Sequence, residues 1–447
     1  MKVRTINAVG ERTSKAAVWL SSPRTNSWCF LGWLVATALF VAVTGILGGL
    51  TEGDANVSVY LTWVLAHGHV ACGYPPSKIV GYAPTAPLYP LIAGGVTALL
   101  RIGGHVPFPT TTQLGAHCTN ATSLINHWAL TSHAWLPTLR IGFLGWFALM
   151  AGIVALLRAS GRGRCGWEAL ALIVAAGAPP VAMCLAEYFH PQDLVALGLA
   201  LVGLACARKG SWIRAGVFLG LALVTQQFIL LVFIPILMAA PYNRLTRFLG
   251  ATLVSGALIA VPLIILTSGR ALTSVLVGTG EASTTMSLLD LTRLHGSALF
   301  VTSRFLPLAF TLILAWWASR KLGPTLIEPI PLLSLVAMSL CFRLVFEVNV
   351  WGYYFMAAAV TLVVLDVMCG RIRLPLLMWI ALVTLAAVQG GLISGSSKRF
   401  LPIWSWQLVL VSCALVLAST PLFSYVAAVG ETKQDPMLNR DPTQSPG

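Results

Sequence analysis

The sequence predicts an all-helical protein that crosses a membrane about twelve times and carries one long polar loop after its first span. The first observation is composition, because 57% of the 447 residues are hydrophobic, only 9% are charged and the mean hydropathy is +0.83. A soluble domain could not keep that much apolar surface from water. The second is a series of apolar runs long enough to cross roughly 30 Å of hydrocarbon. The third is that short basic clusters separate these runs, which is typical of cytoplasmic loops. We therefore interpret the net charge of +14 as a topology signal and expect no nucleic-acid partner.

The N-terminal part of the chain predicts one span followed by the loop. Residues 1–27 form a basic tail without an evident cleavable signal, which we expect in the cytoplasm, and residues 28–50 form the first span. Residues 51–136 then form a long extracytoplasmic loop. Because residues 137–157 end in an arginine cluster that marks the inside, they must enter from outside. The run 87–103 therefore cannot also cross, and we expect an interfacial or re-entrant helix there.

The remaining apolar runs alternate between the two sides, and the whole membrane domain covers residues 28–430. A tight hairpin is expected near Thr225 to Gln227, because one helix across that region would join two basic ends. Residues 431–447 are predicted to be a disordered cytoplasmic tail. Beyond 28–50 and 137–157, the predicted spans are 167–186, 193–207, 211–224, 226–240, 246–268, 301–319, 325–346, 352–369, 374–395 and 403–427.

Two acids, Glu52 and Asp54, stand just after the first span. Apolar residues follow at helical spacing, so Asp54 is expected to begin a helix that lies on the membrane. An aspartate at this position can simply cap the helix. A carboxylate fixed at the interface is also what a general base needs in order to take a proton from a hydroxyl. The residues alone leave both interpretations open.

Further polar residues interrupt the later apolar runs. Arg343 and Glu347 lie one turn apart inside a predicted span, and buried charge in a bilayer is usually functional, although an i,i+4 ion pair can also be structural. Glu187, His190 and Asp193 are compatible with a divalent ion but match no known ligand spacing, and Asp193 can also be a helix cap. Two loop features likewise have two interpretations: Tyr82 and its aromatic neighbours would anchor the loop or line a groove, and Cys72 and Cys118 would form a disulfide or stay free.

Two features together resemble a known family. The first is the long first loop, which opens with acids directly after span one and continues into two membrane-lying helices. The second is the run Glu187–Leu197 (EYFHPQDLVAL), followed by Ala207–Gly210 (ARKG) and Ala215–Ala222 (AGVFLGLA). These resemble the GT-C fold of polyprenyl-phosphate-sugar-dependent glycosyltransferases. The resemblance is to the actinobacterial polyprenol-phosphomannose-dependent α-mannosyltransferases of the phosphatidylinositol-mannoside type, and it covers the loop and roughly spans two to six.

The resemblance implies an inverting transfer of a sugar, mannose first, from a polyprenyl-phosphate donor to a glycolipid acceptor. Asp54 matches the general base, with Glu52 as the nearby alternative. No metal or other cofactor is required, because cationic side chains can hold the leaving phosphate. The family often has a lysine where this chain has Gln226 and Gln227, so the phosphate contact at that turn stays open. The expected substrate-binding residues are Tyr82, His190, Asp193, Gln226, Gln227, Arg293, His295, Arg304, Arg343, Glu347 and Tyr353.

The expected location is the plasma membrane, with both termini in the cytoplasm and the site outside. An arabinofuranosyltransferase of the same fold is the nearest alternative. A polytopic transporter or flippase of lipid-linked glycans is another, although such proteins usually show two similar halves and the sequence contains no such repeat. A structural or assembly protein of the membrane is the third.

Overall fold

A computed structural model describes most of the membrane domain. The described residues are 26–47, 54–66, 68–74, 86–102, 142–163, 166–187, 189–272, 287–348, 350–370, 373–387 and 403–434. All the regular structure in these ranges is helical, and none of them contains a strand.

The described helices follow the apolar runs of the sequence. The first half contains α1 (Asn26–Leu47), α2 (Asp54–Ala66), α3 (Val70–Gly73), α4 (Leu88–Ile102), α5 (Gly142–Ala159), α6 (Gly166–Ala176), α7 (Pro179–Ala182) with a π-helical extension (Met183–Glu187), α8 (Pro191–Arg208), α9 (Trp212–Leu223), α10 (Ile229–Ala239) and α11 (Tyr242–Leu266). The second half contains α12 (Gly296–Leu322), α13 (Pro329–Phe346), α14 (Met356–Met368), α15 (Leu374–Ala387) and α16 (Ile403–Gln434), with 3₁₀ turns at Leu288–Thr292, Gly323–Ile327 and Gly352–Phe355.

The helices support a membrane-embedded protein. In the described part of the chain, six are long and apolar enough to cross a membrane, and a seventh span results if α6 and α7, bent by 58°, count as one broken crossing. Each predicted run coincides with a helix, but several of these helices, such as α9 and α10, are shorter than a full crossing. The predicted number of twelve spans therefore stays a prediction.

The last helix extends beyond the predicted end of the membrane domain. The composition of the sequence predicts a disordered tail from residue 431, whereas α16 continues to Gln434. The next helix-breaking feature in the sequence is Pro436, which disfavours helical geometry in the residue before it. The helix therefore continues four residues past the predicted domain boundary at residue 430, and residues 435–447 lie outside the described ranges.

The helices run between two ends of the bundle, which we name the basic end and the site end. At the basic end, Arg208 at the end of α8 forms an ion pair of 2.8 Å with Glu328 at the start of α13. At the site end, Gln226, between α9 and α10, donates a hydrogen bond to Asp193 at the start of α8. Since α9 begins directly after the basic end of α8 and ends shortly before Gln226, it runs antiparallel to α8. The turn expected at Thr225–Gln227 is therefore present.

Two more ion pairs lie at the basic end. Arg158 binds Glu168 through two nitrogens at 2.8 and 3.0 Å. Arg373 binds Asp366 through both its side chain and its backbone N–H, and also donates to the Leu417 carbonyl. Each of these pairs joins neighbouring helices where the chain turns.

Glycines bring α5 and α8 into close contact. A Cβ on Gly198 of α8 would lie 2.7 Å from the Leu149 backbone nitrogen of α5, and one on Gly145 of α5 would lie 3.0 Å from the Pro191 Cβ of α8. Small residues allow such approach where helices pack without a hydrophobic driving force between them. This contact holds the first turn of α8, which carries Asp193, against α5.

The two short helices α2 and α4 pack together beside the site end. A Cβ on Gly94 of α4 would lie 3.2 Å from the Thr62 carbonyl of α2, so the predicted glycine interruption is the point where α4 meets α2. The backbone N–H of Leu88 donates to the Val224 carbonyl at 3.3 Å, next to the turn that carries Gln226. The loop helices are therefore attached to the bundle at the turn between α9 and α10.

Candidate functional site

A buried carboxylate lies where α8 begins. Asp193 is 3% exposed and accepts a hydrogen bond from the Gln226 side chain. The interpretation of Asp193 as a helix cap is wrong, because Pro191 starts the helix and His190 is the N-cap residue. Asp193 thus lies inside the first helical turn, where its negative charge interacts favourably with the helix dipole.

An arginine lies near this carboxylate, between two aromatic rings. The guanidinium carbon of Arg343 is 5.0 Å from the centroid of the Phe228 ring and 4.6 Å from that of Tyr354. Its Nε donates to Glu347 Oε2 at 3.2 Å, and it also interacts electrostatically with Asp193. The rings limit sideways movement of the guanidinium and contribute a cation–π attraction. The last turn of α13 thus meets the turn between α9 and α10.

His190 joins α8 to the segment that follows α13. Its imidazole stacks on the Tyr353 ring with centroids 4.3 Å apart and planes at 14°. The Gln192 side-chain amide lies 2.8 Å from His190 Nδ1, so the ring edge is also hydrogen-bonded. The predicted residues His190, Asp193, Gln226, Arg343, Glu347 and Tyr353 therefore lie together, and we name these six the polar cluster.

A strained residue connects the polar cluster to α2. Phe189 is 1% exposed and adopts φ +50°, a conformation that is rare for a bulky L-residue. Its carbonyl accepts a hydrogen bond of 3.3 Å from Ser58 of α2. The next backbone N–H, that of His190, donates to the Cys184 carbonyl at 2.7 Å. Such strain persists only where surrounding contacts hold it, and it often occurs at functional sites.

The polar cluster is incompletely hydrogen-bonded, unlike two ion pairs at the basic end whose carboxylates are buried. Glu168 and Asp366 each accept hydrogen bonds on both carboxylate oxygens. Among the described residues, by contrast, Glu347 accepts only on Oε2 and Asp193 only on Oδ1. The two terminal nitrogens of Arg343 likewise have no hydrogen-bond partner there. None of these unpaired atoms is fully buried, so the cluster has spare donors and spare acceptors side by side that a ligand could reach.

The structure locates the other predicted site residues less completely. The backbone of Asp54 begins α2, as expected, and Ser58 lies one turn further along that helix. The side chain of Asp54 is outside the described part of the structure, as are Glu52 and Tyr82. Gln227 is half-buried in the turn beside Gln226.

The three remaining predicted residues lie on the segment before and within α12. Arg293 and His295 are exposed in the turn that leads into this helix, and Arg304 is half-buried further along it. Leu289 and Leu299 of the same segment pack against Val348, the residue after Glu347. The segment therefore flanks the polar cluster at the residue that follows Glu347.

Four further residues contribute to the site, and none of them was among the predicted site residues. Phe228 and Tyr354 flank Arg343, Ser58 holds Phe189, and Gln407 donates to the Leu344 carbonyl next to Arg343. Gln407 also accepts from the Leu288 backbone N–H at 2.6 Å. A signal existed for Gln407 alone, because a glutamine inside an apolar span is unusual. Aromatic residues and serine are too common in such helices to indicate a site.

Cysteine oxidation distinguishes the loop from the bundle. Cys72 is disulfide-bonded, whereas the described cysteines of the bundle are reduced thiols. Cys118 lies outside the described ranges, so its pairing with Cys72 stays a prediction. The Tyr60 hydroxyl donates to the Cys72 carbonyl at 3.1 Å, and Arg270 donates to the Tyr74 carbonyl at 3.1 Å. Burial raises the pKa of Tyr60 and of Tyr74, so both phenols stay protonated at neutral pH.

A metal centre is not visible in the described ranges, where no three His, Cys, Asp or Glu side chains are close enough to bind an ion. The side chain of Glu187 is outside them, so the alternative of a divalent ion at Glu187, His190 and Asp193 is not tested. No family model matches the chain, and no curated protein is significantly similar to it.

Proposed function

We propose that the chain is a membrane glycosyltransferase of the GT-C type, which moves a sugar from a polyprenyl-phosphate donor to a lipid-linked glycan. The observation that supports this most is the incomplete polar cluster, enclosed by an apolar bundle at the same end as the loop helices. A charged group inside a membrane domain is expensive, and such groups usually serve a substrate. A phosphate-linked sugar has both the negative charge that Arg343 can bind and the hydroxyl groups that can donate to free carboxylate oxygens.

Arg343 is the group that we assign to the donor phosphate. Its terminal nitrogens form a fork that matches two phosphate oxygens, and the Phe228 and Tyr354 rings keep the fork in one orientation. Charge that develops on the leaving phosphate would be stabilised there without reorganisation. Gln226 donates to Asp193, so in this arrangement it orients a carboxylate and does not replace the family's lysine as a phosphate ligand.

Asp54 is the base in the proposed reaction. The acceptor hydroxyl oxygen attacks the anomeric carbon, the carbon–oxygen bond to phosphate breaks with its electron pair staying on phosphate, and the hydroxyl proton passes to the Asp54 carboxylate. One displacement inverts the anomeric configuration. Residues four apart share a helix face, and Ser58 of the same helix reaches the polar cluster through Phe189. This spacing supports Asp54 as the base but leaves Glu52 as the alternative.

The proposed orientation follows from the charge of the two ends. The basic end carries Arg158, Arg208 and Arg373, so it is assigned to the cytoplasm with both termini. The polar cluster then opens toward the outside of the plasma membrane. The oxidised Cys72 lies in the loop on that same side, where disulfides persist.

The test is sugar transfer by the purified full-length protein in lipid nanodiscs. Donors would be polyprenyl-phosphate mannose, arabinofuranose and glucose, with phosphatidylinositol mannosides and arabinan fragments as acceptors. We expect transfer from the mannose donor, and we expect Asp54→Asn to lower kcat by about 10²- to 10⁴-fold, the usual contribution of a general base.

Glu328→Gln is the matched control, because this acid lies at the basic end and is 40% exposed. It should retain full activity. Transfer of arabinofuranose alone would correct the identity of the sugar but support the proposed type of reaction. Absence of transfer from every donor would reject the proposal. Unchanged transfer by Asp54→Asn would remove Asp54 from the mechanism.

A further inference from the structure

Glu347 has one hydrogen-bonding oxygen that the fold leaves unused. Its side chain is 10% exposed, and its contact with Arg343 Nε, at 3.2 Å, involves Oε2 only. Oε1 has no hydrogen-bond partner among the described residues. The buried Glu168 provides a complete pair for comparison, because Arg158 donates to both of its oxygens. Glu347 is therefore held in place through Oε2 while its Oε1 stays available to a ligand.

The chemistry of the unpaired Glu347 Oε1 restricts which ligand group can form a hydrogen bond with it. A carboxylate oxygen needs a hydrogen-bond donor. A phosphodiester between a lipid and a sugar has only acceptor oxygens, so the phosphate can pair with Arg343 but not with Glu347. The hydrogen-bond donor for Oε1 must therefore come from another part of the same ligand. A sugar hydroxyl is the nearest such group along the covalent chain.

We propose that Glu347 Oε1 accepts a hydrogen bond from one hydroxyl of the transferred sugar, so that Glu347 determines which sugar the site selects. This inference rests on the proposed function and adds a second recognition element to it. The guanidinium binds the phosphate and the adjacent carboxylate recognises the sugar. A site built around a hydrogen-bond acceptor rejects a substrate analogue that lacks the matching hydroxyl, because the accepting oxygen is then left unpaired.

The backbone around Glu347 supports a fixed position for this carboxylate. The residue ends α13 with extended geometry, φ −72° and ψ +138°. Gln407 binds the Leu344 carbonyl in the preceding turn, and Val348 packs against Leu289 and Leu299. Contacts on both sides therefore hold the end of α13, and Glu347 presents its oxygen from a defined place.

The experiment compares the best polyprenyl-phosphate sugar with its single-deoxy analogues, one for each ring hydroxyl. Wild-type protein, Glu347→Ala and Glu347→Gln would be assayed for kcat/KM in nanodiscs, and thermal unfolding would check that each is folded. Because the proposed hydrogen bond is to a charged carboxylate, we expect kcat/KM of the wild-type protein to fall about tenfold or more with one of the deoxy sugar donors. In Glu347→Ala the fall in kcat/KM with this deoxy donor should disappear, and in Glu347→Gln it should become severalfold smaller. The falls in kcat/KM caused by removing the other ring hydroxyls should stay as in the wild type.

Glu168→Gln is the matched control, since it removes a buried glutamate charge at the basic end and should keep the wild-type preference among donors. Persistence of every deoxy penalty in both Glu347 variants would overturn this inference while leaving the proposed function intact. If wild type transfers no sugar from any donor, both fail. If Glu347→Ala does not fold, Glu347→Gln alone decides, because an unchanged preference in that variant contradicts a role for the carboxylate.

Discussion

Two Arg–Glu pairs in this protein, each with a buried glutamate, should differ strongly in their energetic coupling. Arg158–Glu168 is complete, with two nitrogen–oxygen contacts at 2.8 and 3.0 Å. Arg343–Glu347 has a single contact at 3.2 Å. We propose two double-mutant cycles, one with Arg158→Met and Glu168→Gln and the other with Arg343→Met and Glu347→Gln.

The burial of each partner sets the expected magnitudes. Glu168 is 0% exposed and Arg158 is 43% exposed. Arg158→Met therefore leaves a buried charge without its partner and should cost about 3–5 kcal/mol in unfolding free energy. Glu168→Gln should cost only about 1–2 kcal/mol, since solvent can hydrate the arginine that remains. For the site pair, loss of one long hydrogen bond predicts a coupling of about 0.5–1 kcal/mol.

The assay is unfolding by sodium dodecyl sulfate in mixed micelles, followed by circular dichroism. The coupling energy is the free-energy change of the double variant minus the sum for the two single variants. We expect the Arg158–Glu168 coupling to be about threefold larger than the other, given that strongly coupled pairs reach about 3 kcal/mol. An equal or larger value for Arg343–Glu347 would show that this pair is a structural ion pair, and the argument from incomplete pairing would be refuted.

Two further predictions concern packing and the loop. Gly198→Ala should destabilise the protein by about 1–3 kcal/mol, because the new Cβ would lie within 2.7 Å of three backbone atoms of Ala148 and Leu149. Gly250→Ala is its control, since nothing lies within 4 Å of that Cβ, and its unfolding midpoint should stay the same or rise. For the loop, mass spectrometry of maleimide-labelled protein should show Cys72 modified only after reduction, and labelling before reduction would contradict the disulfide.

Hydropathy and charge placement predicted the helices well because both are local properties. A run of apolar residues in a bilayer must form a helix to satisfy its own backbone. The turn at Thr225–Gln227 followed from basic residues on both sides of it, and the helix that starts at Asp54 followed from apolar spacing. The end of α16 was harder to place than the other helix ends, because the change in composition near residue 430 does not stop a helix and the first strong breaker is Pro436.

The polar residues were harder to interpret because their roles depend on distant partners. Asp193 had the pattern of a helix cap, yet it pairs with Gln226, which follows two helices later. Arg343 and Glu347 are close in sequence, so their pairing was predictable. The Phe228 ring that flanks the arginine comes from a distant part of the chain, and no local pattern marks it.

By itself the sequence determined that this chain is a helical membrane protein and which of its polar residues interrupt apolar helices. Only the tertiary structure decided which of these residues meet, and which of their atoms remain unpaired. The physical reason is that apolar periodicity acts within one helix, whereas a hydrogen bond such as that from Ser58 to Phe189 depends on how helices far apart in the chain pack.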